Sequence, residues 1–145
     1  MIAQQRSELM ALSRADSARL RRLNLIAAFA HSVQALAILV LADGASLPVT
    51  AEYLTGPPAS GDRAAAQLFE LPFGPAVAAV LLLAAADHLI VAVGGGRRFY
   101  ERNLAAEMNP VRWYEYSLSA SLMIVLIAML SGITEASALL AIFGA

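Results

Sequence analysis

The chain has 145 residues, of which 59% are hydrophobic and 14% charged, and its mean hydropathy of +0.66 lies outside the range of ordinary soluble domains. A formal net charge of -1 gives no basic field for phosphate neutralisation, so nucleic-acid binding is excluded as the main business of the protein. With no cysteine and two histidines, disulfide scaffolds, thiolate metal sites and cysteine nucleophiles are absent, and metal chemistry is not expected. All ten basic residues are arginine, which rules out a Schiff base made by this polypeptide alone.

The first 22 residues, with Ser7, Ser13 and Ser17 among charges, read as a short amphipathic helix at the cytoplasmic surface. Three apolar runs follow, Leu23 to Ala42, Phe73 to Val93 and roughly Val111 to Ile133. Each is long enough to cross about 30 Å at about 1.5 Å per residue, so three transmembrane helices are expected. The length of the first run, the residues ahead of it and the internal His31 and Gln34 argue against a cleaved signal peptide. A fourth apolar run opens near Ala136 and reaches Ala145, about half a bilayer, which reads as the start of a fourth span in a larger bundle rather than a re-entrant stub, since a stub would strand its terminal carbonyls in lipid.

Between the first two runs, residues 43–72 form a connection longer than most, with turn signals at Pro48, Gly56-Pro57-Pro58, Ser60-Gly61 and Pro72-Phe73-Gly74-Pro75. Segments around Pro48 to Leu54 and Gln67 to Leu71 are candidates to pair as a hairpin, a disordered linker being the alternative. Gly94-Gly95-Gly96 is read as a helix stop, because no strand precedes it and no Gly-Lys-Ser/Thr follows. Arginines concentrate before the first span and between the second and third, whereas 43–72 carries only Arg63. The positive-inside rule then puts the N-terminus in the cytoplasm and the 43–72 loop outside.

Ionisable groups inside spans cost several kcal/mol unless they face a partner or cavity, and four stand out: His31, Asp87, His88 and Glu115. By helical rise, His31 lies about 12 Å, His88 about 8 Å and Glu115 about 6 Å from the cytoplasmic edge. Antiparallel neighbours thus place two histidines and a carboxylate in one layer, with Asn24 and Gln34 beside His31. Such a cluster can hold or pass a proton; equally, each histidine can be an interhelical hydrogen-bonder, and Glu115 can pair with Arg112. Asp87 is set about 100° from His88 and its role is open. Glu115, Ser119 and Leu122 share a helix face flanked by Tyr116 and Met123, which suits either an elongated apolar ligand with a polar end or close helix packing.

The run Asn109-Pro-Val-Arg-Trp-Tyr-Glu-Tyr-Ser-Leu-Ser-Ala-Ser-Leu-Met-Ile-Val-Leu-Ile-Ala resembles the third helix of the heliorhodopsins, seven-helix retinal-binding membrane proteins. Arg22-Leu-Asn-Leu-Ile-Ala-Ala-Phe-Ala-His-Ser-Val-Gln, the Leu-Pro-Val-Thr-Ala-Glu-Tyr-Leu-Thr-Gly-Pro-Pro from Leu47, and the closing Ala-Leu-Leu-Ala-Ile-Phe-Gly extend the likeness over most of the chain. The resemblance implies an all-α transmembrane bundle, the N-terminal part of a rhodopsin-like domain over 23–145. It implies Glu115 as counterion of a protonated retinal Schiff base, and His31, His88, Gln34 and Asn109 as a polar, proton-accepting cavity. Tyr116, Ser119 and Met123 fall on the retinal pocket wall. It further implies an inverted orientation, a homodimer formed through transmembrane helices and the 43–72 loop within membrane lipid, and light-responsive signalling rather than pumping. Two departures are evident: the family's retinal-bearing lysine lies on a seventh helix, and this chain has neither; and Asp87 stands where an apolar or aromatic residue is more familiar. A proton or ion transporter using the His31, His88, Glu115 layer, or a non-catalytic membrane interaction protein, are the alternatives. An enzyme is not expected, since no nucleophile with an adjacent base, phosphate loop or metal constellation is seen.

Overall fold

Apolar runs of twenty residues or more become helices most of whose large side chains face outward. The computed structural model describes residues 14–145, in the order α1 (Arg14–Leu41), β1 (Ser46–Leu54), β2 (Arg63–Pro72), α2 (Phe73–Ala92), α3 (Gly94–Leu104), α4 (Pro110–Leu130) and α5 (Ala136–Gly144). Asp16–Leu41, Phe73–Ala92 and Pro110–Leu130 are long and apolar enough to cross a bilayer. Large apolar side chains on them, such as Phe29 and Val40, are more than two-thirds exposed, the inside-out arrangement that lipid allows and water penalises. The fourth apolar run is helical for nine residues, too few to span.

The described residues pack as two units, those up to Ala35 with Leu81–Ser117, and Leu36–Val80 with Leu118–Ala145. In the second unit, β1 and β2 pair antiparallel from Ser46↔Pro72 to Leu54↔Arg63. The expected hairpin is therefore present and longer at both ends than its turn signals indicated. Its register shifts between Val49 and Thr50, which face Phe69 and Gln67, leaving Leu68 as the bulged residue. The turn closes through Thr55 N–H to Asp62 O at 3.0 Å, with Gly61 at φ 72°, a conformation that favours glycine. Val49 packs with Ala128, Met129 and Leu139 in a small apolar core. Thr50 N–H donates to Thr134 O at 2.9 Å, tying the hairpin to the α4–α5 turn.

Two helix ends differ from expectation. The third span stops at Leu130 rather than near Ile133, because Gly132 adopts φ 92° while Ile133 N–H reaches Ala128 O and Gly132 N–H reaches Met129 O, each at 3.0 Å, a Schellman closure. Glu135 then caps α5, accepting from Ala138 N–H at 2.8 Å. The glycine triplet does end α2, but it also opens α3, a helix that its composition did not announce. Gly94 takes φ 53°, and a Cβ on Gly96 would sit 2.2 Å from Ile90 O, so glycine at 96 is required by a close backbone approach. At the N-terminal side, residues 14–22 are the first turns of α1 itself rather than a separate surface helix; the rest of that expected segment lies outside the described residues.

Candidate functional site

The polar residues of the first unit lie on helices held close by small side chains: Ala28, Ala35 and Ala85 are buried, and such residues let membrane helices approach. From α1, Asn24 donates Nδ2–H to Leu20 O at 2.9 Å, which turns its Oδ1 outward to the next helix. His88 of α2 meets that oxygen through Nδ1 at 2.8 Å. A carbonyl oxygen only accepts, so His88 is the donor and carries its proton on Nδ1. His31 lies against it, ring centroids 5.6 Å apart and planes inclined by 12°, and its own Nδ1 pairs with Gln34 Oε1 at 3.1 Å. The two histidines are thus stacked, and each Nδ1 is occupied by an amide of α1.

Asp87 and Arg112 form the other half of the layer. Asp87 is buried, with 4% of its side chain exposed, and its Oδ2 stands 3.7 Å from Arg112 Nε; among the described residues Oδ1 has no hydrogen-bond partner. Arg112 also donates Nη1–H to Tyr116 Oη at 2.9 Å and lies over that ring at 5.2 Å, a cation–π contact. Glu115 is half-buried and near enough to Asp87 and His88 for its charge to act on both. The Arg112–Glu115 pair that helix spacing allowed is not made, since among the described residues Arg112's ion partner is Asp87. Sequence reasoning left Asp87 without a role; two ionisable residues in one polar layer on facing spans were the signal that it would find a cation.

The remaining expected site residues are placed separately. Asn109 caps α4, its Oδ1 accepting from Arg112 N–H at 3.3 Å, with Pro110 in the first helical position where its missing N–H costs nothing. Tyr116 is exposed and engaged with Arg112. Ser119 is buried, whereas Met123 lines an open apolar cleft of about 410 Å³ with Ile124, Ile127 and Ile142.

Spans with outward apolar faces and a layer of paired histidines, amides and a carboxylate–arginine pair define an integral membrane protein of helical-bundle type. Within that class the chain belongs to the heliorhodopsin family, whose family model matches residues 20–145. No curated protein matches it.

Proposed function

We propose that the chain is the N-terminal part of a seven-helix, light-sensing retinal protein that signals rather than pumps. The carrying observation is the stacked His31–His88 pair bound by Asn24 and Gln34, with Glu115 near enough for its charge to act on His88, in a chain of this family. Retinal, when bound, supplies visible absorption through a polyene whose polar end is positive once joined to an amine. The residues present suit it in part. Met123 and its neighbours offer an apolar cleft of ligand size, and Glu115 a carboxylate for a cation. Covalent attachment needs a lysine, and the sequence contains none, so that amine comes from outside residues 1–145.

In this reading Glu115 is the counterion, the histidine layer accepts a proton, and Tyr116, Ser119 and Met123 border the chromophore. The α5 segment begins a fourth span, the N-terminus faces the cytoplasm, and two copies associate through the membrane helices and the hairpin. Enzymatic activity has no place in it.

The test is absorption spectroscopy of the protein isolated from its own membranes, with intact mass measured on the same sample. Glu115→Gln is expected to shift the visible band, because loss of a counterion changes the energy of the ground-state cation more than that of its charge-shifted excited state. An unchanged band removes Glu115 from the role, and absence of any retinal pigment removes the light-sensing reading. Illuminated vesicles are expected to show no pH change; a light-driven change lost in Glu115→Gln favours a transporter instead.

A further inference from the structure

One surface of the first unit combines two chemistries that rarely meet by accident in a membrane. A groove of about 580 Å³ runs along α1 and is completed by α3; Arg21, Arg22 and Arg97 form its polar part, and Leu25, Ile26 and Phe29 its apolar part. Arg22, Ile26 and Phe29 follow helical spacing, so the arginines stand at one end of a track about 10 Å long. The three apolar residues are exposed and belong to the membrane-crossing stretch of α1, where lipid is their solvent.

The arginines are differently held. Arg97 is fixed: its Nε–H donates to Glu101 at 2.8 Å, its Nη2–H to Ser17 Oγ at 2.8 Å, and Ser17 in turn donates to the same carboxylate. Those hydrogen bonds, Ser17's foremost, hold the Glu101 carboxyl below its usual range, so the anchor stays ionised at neutral pH. Arg21 and Arg22 are exposed, and among the described residues they make no ion pair. Among the described residues no carboxylate lines the groove.

We infer that this groove is a binding site for an anionic glycerophospholipid, its phosphate held by Arg21 and Arg22 with Arg97 behind them and one acyl chain laid along Leu25, Ile26 and Phe29. Guanidinium groups suit phosphate oxygens through their paired donors, and basic grooves at the ends of membrane helices recruit anionic headgroups. A zwitterionic lipid fits less well, because among the described residues the groove offers no carboxylate to receive its ammonium. Free phosphate would use the arginines and leave the apolar track empty.

Native mass spectrometry of the full chain, released from detergent micelles and titrated with phosphatidylglycerol or phosphatidylcholine, tests this. Phosphatidylglycerol is expected to bind the more tightly. Two surface arginines at about 1 kcal/mol each correspond to about a 30-fold weakening in Arg21→Gln/Arg22→Gln, while Arg21→Lys/Arg22→Lys keeps the headgroup preference. Inorganic phosphate in large excess is expected to leave the lipid in place. Equal binding of the two lipids by the unaltered chain overturns the proposal whether or not the glutamine variant folds. So does undiminished binding by that folded variant, and full displacement by phosphate marks an anion site with no lipid role.

Discussion

Replacing Asn24 by alanine should change where His88 carries its proton. In the intact layer the Asn24 amide is oriented by its own helix, since Nδ2–H is spent on Leu20 O, and the outward Oδ1 accepts only Nδ1–H of His88 at 2.8 Å. A hydrogen bond of this kind is worth ~1 kcal/mol net, and interhelical ones in membranes average somewhat less. At RT of about 0.59 kcal/mol, ~1 kcal/mol is about a fivefold bias in the ratio of the two neutral tautomers. Asn24→Ala deletes the acceptor, so the ratio of Nδ1–H to Nε2–H tautomer at His88 should fall by about that factor. Asn24→Asp, which keeps an acceptor oxygen, should preserve it. Solid-state nitrogen NMR of histidine-labelled protein in bilayers reads the tautomers directly, and with two histidines in the chain the signals are separable. His31 is the internal reference, because its Nδ1 partner is Gln34. An Asn24→Ala spectrum in which His88 retains its original Nδ1–H fraction would refute the assignment of Asn24 as the group that sets the tautomer.

Three further outcomes are expected. Asp87→Ala strands Arg112 beside Tyr116 and should cost about 2 kcal/mol in thermal unfolding, less than the 3–5 kcal/mol typical of fully buried pairs because 30% of the Arg112 side chain is exposed; adding Arg112→Met should recover part of that loss, and an additive double variant would disprove the pairing. Gly96→Ala drives a methyl against Ile90 O and should destabilise the α2–α3 junction by about 1–3 kcal/mol, whereas Gly95→Ala, which meets nothing, should be neutral or stabilising in the same melting experiment. Glu135 has its carboxyl held below the usual range, first by Ser137 Oγ–H and then by Ala138 N–H; a depressed folded-state value means that its stabilisation of the α5 cap is complete above the ordinary glutamate range and is lost as pH falls through the folded value. The protection of Ala138 N–H against hydrogen exchange, measured relative to the intrinsic rate at each pH, should therefore fall on acidification below about pH 4.3, and Glu135→Gln should remove that dependence.

Much of this protein is written locally. Twenty-residue apolar runs have few alternatives to spanning helices, because a backbone in hydrocarbon must satisfy its own hydrogen bonds; α1, α2 and α4 therefore follow from composition and length. The hairpin was legible from Gly56-Pro57-Pro58 and Ser60-Gly61, since turn chemistry is set by neighbouring residues. Polar residues inside apolar runs likewise announced His31, His88, Glu115 and Asp87 as the places to look. The α3 helix was not legible, because a triple glycine is a poor helix start on propensity and is accepted here for the close approach of Gly96 to Ile90.

What only the tertiary structure decided is pairing. Helix periodicity offered Glu115 to Arg112 on the same face, yet the arginine lies nearer Asp87 from another span, and Asn109 caps its own helix instead of reaching the histidines. Tautomer, too, is a tertiary property: His88 donates from Nδ1 because the bond from Asn24 Nδ2–H to Leu20 O turns the amide's accepting oxygen toward it. The physical reason is range. Solvent and backbone constrain each residue through its immediate neighbours, so span, turn and cap can be read along the chain, whereas a buried polar group is satisfied by whichever partner the packing of helices brings within hydrogen-bonding distance.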